Sequence, residues 1–278
     1  MLIKELTSSQ NSKANRHERM EWPKGAPEIP AFNDPRISIE KIVDARKLEQ
    51  AIRLQSDTLS WFFERKCRLT SSNIQRVCTR MSNANSTAES KRRLAIDLMN
   101  PKDLSRCKYV SQGKADEQAG VEYFLNSMRH KGYQADAYPI GFVVHPVHSW
   151  LGASPDRLLR LKSEDSNDYI WYLMEVKNWY VTARQKTIED LPYLKKSKGG
   201  QLELTRHHSH FYQIQTALMV TGFKECFFVV YGGSESMSLS QKIEFDPEVS
   251  SEIWAKAHLF YLEHFLPVLE AGEQQSGR

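Results

Sequence analysis

The chain has 278 residues, of which 40% are apolar and 26% charged, a composition that excludes a disordered or fibrous protein. The formal net charge of +4 is only mildly basic, so charge permits nucleic acid as a partner without indicating it. The sequence has no signal-peptide pattern and no run of about 18 apolar residues, which predicts neither secretion nor a membrane span. The four cysteines form no C-x-x-C pair, so we expect reduced thiols in an intracellular compartment, the cytoplasm or the nucleus.

Composition along the chain predicts three segments. Residues 1–35 are polar and punctuated by proline, as expected of an N-terminal arm. Residues 36–271 carry the periodic apolar patterns of a single folded domain, and residues 272–278 form a short C-terminal tail.

The first half of the domain shows mainly helical periodicity. Apolar residues recur at helical spacing over residues 38–64, and Ser71 or Ser72 is placed to cap a second helix. The polar stretch 81–90 predicts a loop, and residues 113–130 predict a further helix.

Glu117 is unusual in the helix predicted over residues 113–130. At about 100° per residue it falls on the same stripe as Val121, Phe124 and Met128, which are expected to pack inward. A buried carboxylate needs a cation, a hydrogen-bonding partner or a shifted pKa. The alternative is that Glu117 lies at the helix start, where water and the helix dipole satisfy it.

The second half of the domain predicts strands, with helices between and after them. Three segments rich in β-branched and aromatic residues, 138–146, 150–161 and 169–180, are expected to form a meander. A mixed central β-sheet flanked by helices follows, an α/β or α+β architecture. The remaining predicted elements are an exposed lysine-rich loop (195–200), a helix (206–221), two strands (225–231 and 238–245) and a final helix (247–270).

The strongest chemical pattern is Asp156 followed by the tripeptide Glu175-Val176-Lys177. Alternate residues of a strand share a face, so Glu175 and Lys177 point together while Val176 points into the opposite layer. The neighbouring strand ends near Asp156, and the turn at residues 163–168 absorbs the chain between them. The pattern therefore predicts two carboxylates and an ammonium group at one point.

These groups are suited to a metal and a phosphate. Two carboxylates and the main-chain carbonyl of Val176 form an all-oxygen site that favours Mg²⁺, with Mn²⁺ as a substitute, over Zn²⁺. The cation would polarise a phosphoryl oxygen and lower the pKa of bound water, while Lys177 stabilises developing charge or orients the attacking water. The alternative interpretation is an exposed, mutually neutralising Glu175–Lys177 pair without chemical function.

Five sequence blocks follow one another in a consistent order between about residues 60 and 232. The blocks are Trp61 and Arg65 with LTSS (69–72), GKADE (113–117), WLGASPD (150–156), MEVK (174–177) and HFYQIQTALMVTG (210–222). Together they resemble the lambda-type alkaline exonucleases, or YqaJ-like viral recombinases, of the PD-(D/E)xK nuclease superfamily. The resemblance implies a restriction-endonuclease-like fold.

The resemblance also implies roles for the residues in these blocks. Asp156 and Glu175 are the implied metal ligands, Glu117 helps to hold a second metal or the nucleophilic water, and Lys177 is the transition-state lysine. The implied contacts to phosphate, including a terminal 5′-phosphate, are Arg65, Ser72, Ser154 and Gln213. The alternative for Arg65 and Ser72 is purely structural, as a cation at a helix C-terminus and as an N-cap.

The chain departs from the family pattern at three places. Arg157 stands where the family usually has glycine, so either the turn differs or Arg157 reaches the DNA backbone. Asn178 and Trp179 replace the usual Cys-Pro, which should alter how the strand leaves the site. Alignment favours Gln213 as the site glutamine, whereas helical phasing places Gln215 on the packed stripe.

We therefore expect a metal-dependent deoxyribonuclease, a 5′-to-3′ exonuclease acting on double-stranded DNA ends in recombination or repair. Family resemblance implies a homo-oligomer, a trimer in the best-known relatives, and a single-strand annealing or binding protein as a further partner. One alternative is an endonuclease or structure-selective nuclease of the same superfamily. The other is a non-catalytic nucleic-acid-binding protein that keeps the fold.

Overall fold

A computed structural model gives the fold of the chain from residue 45 onward. It describes residues 45–53, 55, 59–100, 108–145, 147–180 and 186–276. The predicted N-terminal arm, residues 1–35, lies outside the described residues, as does Cys107.

The helices begin and end at residues that favour helix boundaries. Thr87 accepts a hydrogen bond from the backbone of Ser90 at the start of one helix, and Asp246 caps another. Gly222 ends a third helix in the left-handed conformation, with φ 77°. The described α-helices are α1 (Ala45–Ala51), α2 (Leu59–Lys66), α3 (Ile74–Ser82), α4 (Ala88–Met99), α5 (Lys108–His130), α6 (Ser209–Thr221), α7 (Pro247–Phe260) and α8 (Leu266–Ser276).

A five-stranded mixed sheet forms the centre of the fold. Its strands, in spatial order, are β10 (Leu239–Glu244), β9 (Glu225–Tyr231), β6 (Ile170–Asn178), β5 (Arg157–Ser163) and β2 (Tyr133–Pro139). Strand β6 is central, parallel to β9 and antiparallel to β5, with Arg157 opposite Met174. Parallel pairing requires a crossover, which α6 supplies between β6 and β9.

Two smaller sheets complete the described strands. In the first, β4 (Leu151–Ala153) pairs with β1 (Leu69–Thr70) on one side and β3 (Val143–Val144) on the other. The second is a hairpin of β7 (Leu194–Lys196) and β8 (Leu202–Leu204).

Helices cover both faces of the central sheet. On one face, Val121 and Phe124 of α5 pack with Met174 and Val176 of β6. On the opposite face a larger core joins the sheet to α3, α6 and α7. This arrangement confirms the predicted mixed sheet flanked by helices. Among the described residues, no helix is long and apolar enough to cross a membrane.

The single helix predicted over residues 38–64 is wrong. Helix α1 ends at Ala51 and α2 begins at Leu59, and Gln55 between them has a left-handed φ of 48°. The apolar period continues through this break because residues on both sides contact one small core around Phe142. Periodicity alone could not reveal the interruption.

Two predicted loops are shorter than expected. The loop predicted over residues 81–90 narrows to 83–87, because Thr87 caps α4 and the chain is helical from Ala88. The lysine-rich loop predicted over residues 195–200 begins inside the β7–β8 hairpin. Leu194 and Leu204 are buried there, which holds the hairpin while its lysines face solvent.

The predicted meander is wrong in its first half. Residues 138–146 divide into the end of β2 and the short β3, and residues 150–161 divide into β4 and β5. Proline cannot donate to a strand ladder, and Pro139 and Pro155 lie at the two divisions. The antiparallel hairpin of β5 and β6 is formed as expected.

The last predicted helix is longer than expected and less regular. After α7 the chain passes through a π-helical turn, Tyr261–Phe265, and then continues as α8 to Ser276. Most of the predicted tail, residues 272–278, is therefore helical rather than loose.

Candidate active site

Strand β6 presents Glu175 and Lys177 on one face, as its alternation predicts. Glu175 is only 2% exposed and forms an ion pair with the ammonium group of Lys177, which is one-quarter exposed. Val176 points to the other face, where it meets Gly120 of α5 so closely that a Cβ there would lie 2.7 Å from Val176 Cγ1. Glu175 is thus buried and Lys177 partly buried, which excludes the interpretation of a pair fully exposed to solvent.

Asp156 lies beside Glu175, in the break between β4 and β5. Its backbone N–H donates to the carbonyl of Met174 at 3.2 Å. Its carboxylate Oδ2 accepts the backbone N–H of Val176 at 2.7 Å. The antiparallel register and these two bonds fix the carboxylate against the strand that carries Glu175.

Of the two candidate glutamines, Gln213 faces the site. Its amide Nε2 donates to Glu175 Oε1 at 2.5 Å. Gln215 is fully buried elsewhere, donating to the carbonyl of Glu244 and accepting the N–H of Asp246, both at 2.8 Å. Gln215 therefore ties the end of β10 to α6, and helical phasing identified a structural glutamine.

Glu117 reaches the site from α5. The helix begins at Lys108, so the interpretation that Glu117 lies at the helix start is wrong. The side chain is 28% exposed and pairs with Arg157, whose Nη1 lies 2.5 Å from Glu117 Oε1. Arg157 also donates to Gln118 Oε1 at 3.3 Å and to the carbonyl of Asp156 at 2.6 Å.

The carboxylates of the site disturb one another electrostatically. Burial raises the pKa of Glu175 to about 8, and the charge of Asp156 adds to that shift. Burial also raises the pKa of Glu117, again with help from Asp156, although Arg157 opposes the shift. For Lys177 burial lowers the pKa, but Glu175 and Asp156 outweigh burial and the net shift is upward. We call Glu117, Asp156 and Glu175 the carboxylate cluster. It favours an added cation, because a cation stabilises the ionised carboxylates.

The donor set fits a hard divalent cation. Asp156, just before β5, and Glu175 of β6 offer carboxylate oxygens side by side, and oxygen ligands suit Mg²⁺ or Mn²⁺. As the described side chains are placed, no three histidine, cysteine, aspartate or glutamate residues are grouped closely enough to hold a metal. Glu117 contacts Arg157 in this arrangement.

A second cluster surrounds the guanidinium of Arg65. Its Nη1 donates to Ser154 Oγ at 3.2 Å, and its Nη2 donates to Ser72 Oγ at 2.9 Å and to Thr70 Oγ1 at 3.4 Å. The guanidinium stacks 4.1 Å from the ring of Trp61, whose indole N–H also donates to Ser154 Oγ at 3.1 Å. We call this cluster the Arg65 pocket.

Arg65 has an environment suited to an anion. Burial lowers the pKa of its guanidinium to about 10. Among the described residues its polar partners are hydroxyl groups, and no carboxylate lies within ion-pair distance. A partly buried cation without a neutralising carboxylate is costly, and a bound phosphate would offset that cost. The predicted helix cap at Ser71 or Ser72 is wrong, because the N-cap of α3 is Asn73. The Ser72 hydroxyl instead accepts a hydrogen bond from Arg65.

Sequence reasoning missed several residues that support these two clusters. Gln55 donates to the carbonyls of Ile140 and Pro155, both at 2.9 Å, and so braces the turn before Asp156. At the end of β6, the Tyr180 hydroxyl donates to Asp116 Oδ2 at 2.7 Å. No local sequence pattern predicts these contacts, because each joins residues more than 60 positions apart.

Trp179 explains how the strand leaves the site without the Cys-Pro of the family pattern. It is buried, and its indole N–H donates to the carbonyl of Met237 at 2.9 Å. A Cβ at Gly232 would lie 2.5 Å from the indole nitrogen, so only glycine permits this packing. The exit of β6 is thereby fixed to the segment that joins β9 to β10.

Solved structures share this fold. An alkaline exonuclease from Laribacter hongkongensis, LHK-Exo, matches with a TM-score of 0.55 at 21% identity, over 79% of this chain and 99% of that chain. The same exonuclease in complex with dAMP matches equally. The Shutoff and Exonuclease Protein from Kaposi's sarcoma-associated herpesvirus matches with a TM-score of 0.46 at 12% identity, over 79% of this chain and 72% of that chain.

Sequence comparison gives the family. A comparison with curated proteins yields no significant match. The profile of the YqaJ-like viral recombinase domain matches residues 60–224, which include both the Arg65 pocket and the carboxylate cluster. Because this match spans more than half of the 278 residues, the chain belongs to the YqaJ-like viral recombinase family.

Proposed function

We propose that this chain is a magnesium-dependent deoxyribonuclease that removes nucleotides from the 5′ ends of double-stranded DNA in recombination or repair. The family and the alkaline exonuclease fold support a DNA exonuclease. The observation that carries the proposal is the position of the Arg65 pocket directly beside the carboxylate cluster.

The two clusters are joined by a very short piece of chain. Ser154 belongs to the Arg65 pocket, and Asp156, two residues later, belongs to the carboxylate cluster. Two residues of extended chain span at most about 7 Å. Adjacent phosphates of one DNA strand can therefore occupy both clusters, with the terminal 5′-phosphate at Arg65 and the next phosphodiester at Glu175.

In this proposal the chain's own residues position the scissile phosphodiester and the attacking water. The family implies a divalent metal, and Asp156, Glu175 and the carbonyl of Val176 would hold Mg²⁺, or Mn²⁺ in its place. When bound, the metal polarises a phosphoryl oxygen and lowers the pKa of water. Lys177, kept protonated by its carboxylate neighbours, stabilises the charge that develops on the phosphate oxygens.

The remaining residues have supporting roles. Gln213 donates to Glu175 and holds that carboxylate in one orientation. Ser72 and Ser154 keep the Arg65 guanidinium pointed into its pocket and can donate their hydroxyl protons to a phosphate. In this proposal Glu117 orients the attacking water, and Arg157 contacts the DNA backbone.

The assembly and partners of the chain also belong to the proposal. Family resemblance supports a homo-oligomer, a trimer in the best-known relatives, and cooperation with a single-strand annealing or binding protein. The domain limits of residues 36–271 stay a prediction. A reducing compartment, the cytoplasm or the nucleus, also stays a prediction.

The test is hydrolysis of a linear duplex, 5′-phosphorylated and labelled at either end, with Mg²⁺ or with EDTA. We expect mononucleotides released from the 5′ end, only with Mg²⁺, and no release by Lys177→Ala or Asp156→Ala. Lys242→Ala, which removes a cation from the edge strand β10, is the matched control and should keep full activity.

Two results would point to the alternatives. Internal fragments in place of mononucleotides would identify an endonuclease or structure-selective nuclease. Metal-independent duplex binding by folded protein, with no hydrolysis, would identify a non-catalytic binding protein and overturn the catalytic proposal.

A further inference from the structure

Arg157 places a permanent positive charge inside the carboxylate cluster. Strand β5 begins at Arg157, which is cross-strand partner to Met174 and so projects on the same face of the sheet as α5. Its side chain is 21% exposed and meets Glu117 there.

One nitrogen of Arg157 joins the two sides of the site. Its Nη1 lies 2.5 Å from Glu117 Oε1 and 2.6 Å from the main-chain carbonyl oxygen of Asp156. The helix that carries Glu117 and the turn that carries Asp156 are thus bridged by a single cationic group. Bridging oxygen atoms from separate elements is what a bound metal ion does in an all-oxygen site.

The net charge of the cluster also favours one divalent ion over two. Its three carboxylates are Glu117, Asp156 and Glu175, and its two cations are Arg157 and Lys177. When all three carboxylates are ionised, as a bound cation favours, three negative charges against two positive ones leave one net negative charge, which a single divalent ion more than neutralises. A second divalent ion would have to enter beside the positively charged guanidinium of Arg157.

We propose that Arg157 takes the place of a second metal ion at Glu117, so that this enzyme works with one divalent cation, held by Asp156 and Glu175. The inference rests on the proposed function, since it concerns how many metal ions that nuclease site binds. Arg157 is here a positioning residue, because it acts on the water-orienting carboxylate of Glu117 and holds that carboxylate toward Asp156.

The test counts metal ions on the full-length protein without DNA. Mn²⁺ is titrated into purified protein, and binding is followed by calorimetry and by the electron paramagnetic resonance of free Mn²⁺. We expect about one Mn²⁺ per chain for the unaltered protein and about two for Arg157→Gln, which removes the charge at similar size. Arg157→Lys should restore a count of one.

Two further variants separate the cluster from general charge effects. Arg160→Gln removes a cation three residues along β5, where Arg160 pairs with Asp136 at 2.6 Å, and should still bind one Mn²⁺. Glu117→Gln should also bind one Mn²⁺, because Glu117 is not a metal ligand in this proposal. If a circular dichroism melt shows that Arg157→Gln does not fold, the comparison of Glu117→Gln with the unaltered protein remains: equal counts and equal Mn²⁺ affinity support the inference, and a lower count or affinity in Glu117→Gln would overturn it.

Nuclease rate as a function of Mg²⁺ concentration gives a second readout. The unaltered protein should show a Hill slope near one, and Arg157→Gln a slope that approaches two. Two Mn²⁺ ions per chain on the unaltered protein would overturn the inference and leave the proposed nuclease standing. If no Mn²⁺ binds, both the inference and the metal dependence of the proposed function are overturned. If Arg157→Gln still binds one Mn²⁺ per chain, the role of Arg157 is overturned.

Discussion

The contact between α5 and β6 sets where Glu117 lies, and Gly120 is the residue that permits it. Gly120 follows Glu117 by one turn of α5, and an added Cβ would lie 2.7 Å from Val176 Cγ1 and 3.2 Å from Tyr231 Cβ. Carbon atoms in contact ordinarily stand about 3.5–4.0 Å apart. The added methyl group of Gly120→Ala must therefore push α5 and β6 apart by about 1 Å.

The free energy of unfolding should reflect two opposed terms. Overpacking of this kind costs about 1–3 kcal/mol. Replacing glycine by alanine inside a helix returns about 0.5–1 kcal/mol of helix stability. Gly272→Ala in α8 is the matched control, because its added Cβ meets no described atom within 4 Å. The two variants should therefore differ in unfolding free energy by about 1–3 kcal/mol, with Gly120→Ala the less stable.

Urea denaturation of both variants measures this difference, and a nuclease assay measures its consequence for the site. A shift of about 1 Å in a positioned group lowers a catalysed rate by about 10²-fold, so Gly120→Ala should lose far more activity than Gly272→Ala. If the two variants are equally stable and equally active, α5 does not press on β6 as described. The position assigned to Glu117 would then be refuted.

Three other substitutions probe separate features. Arg65→Gln should reduce the ratio of nuclease rates on 5′-phosphorylated and 5′-hydroxyl ends by about tenfold or more, since charge-assisted hydrogen bonds contribute about 1.5–3 kcal/mol. An unchanged ratio would show that the 5′-phosphate does not bind in the Arg65 pocket. Glu49→Ala breaks a fully buried ion pair and should cost about 3–5 kcal/mol in urea unfolding, whereas Glu89→Ala in an exposed pair should cost under about 0.5 kcal/mol. Burial lowers the pKa of His145 to about 4, so His145 stays neutral in the folded protein. As pH falls, the unfolded chain binds the proton first, and the free energy of unfolding therefore decreases as pH drops from about 6.5 toward 4. His145→Gln should flatten that fall in thermal melts, and an identical pH profile would contradict the shift.

The sequence predicted the core of the candidate site because two local rules suffice for it. Strand alternation is fixed by covalent geometry, so Glu175 and Lys177 had to share a face wherever β6 lay. The polar turn between β5 and β6 makes a hairpin the natural connection, and a hairpin returns Asp156 to the side of Glu175. Both steps use residues near one another in the chain.

The glutamines show where local rules stop. Helical phasing correctly found Gln215 on the buried stripe, and the structure buries it fully. Burial does not identify the active face, however, because Gln215 satisfies backbone groups at the end of β10 while Gln213 contacts Glu175. Which face of α6 turns toward the site depends on what packs on each side of the helix.

The sequence by itself determined the fold class, the strand that carries Glu175 and Lys177, and the nearness of Asp156, since periodicity and short turns encode them. Tertiary structure alone decided the break at Gln55 and the capture of Glu117 by Arg157, 40 positions away. Each of these contacts joins groups from separate elements, and its strength depends on burial and on distances that no local spacing specifies.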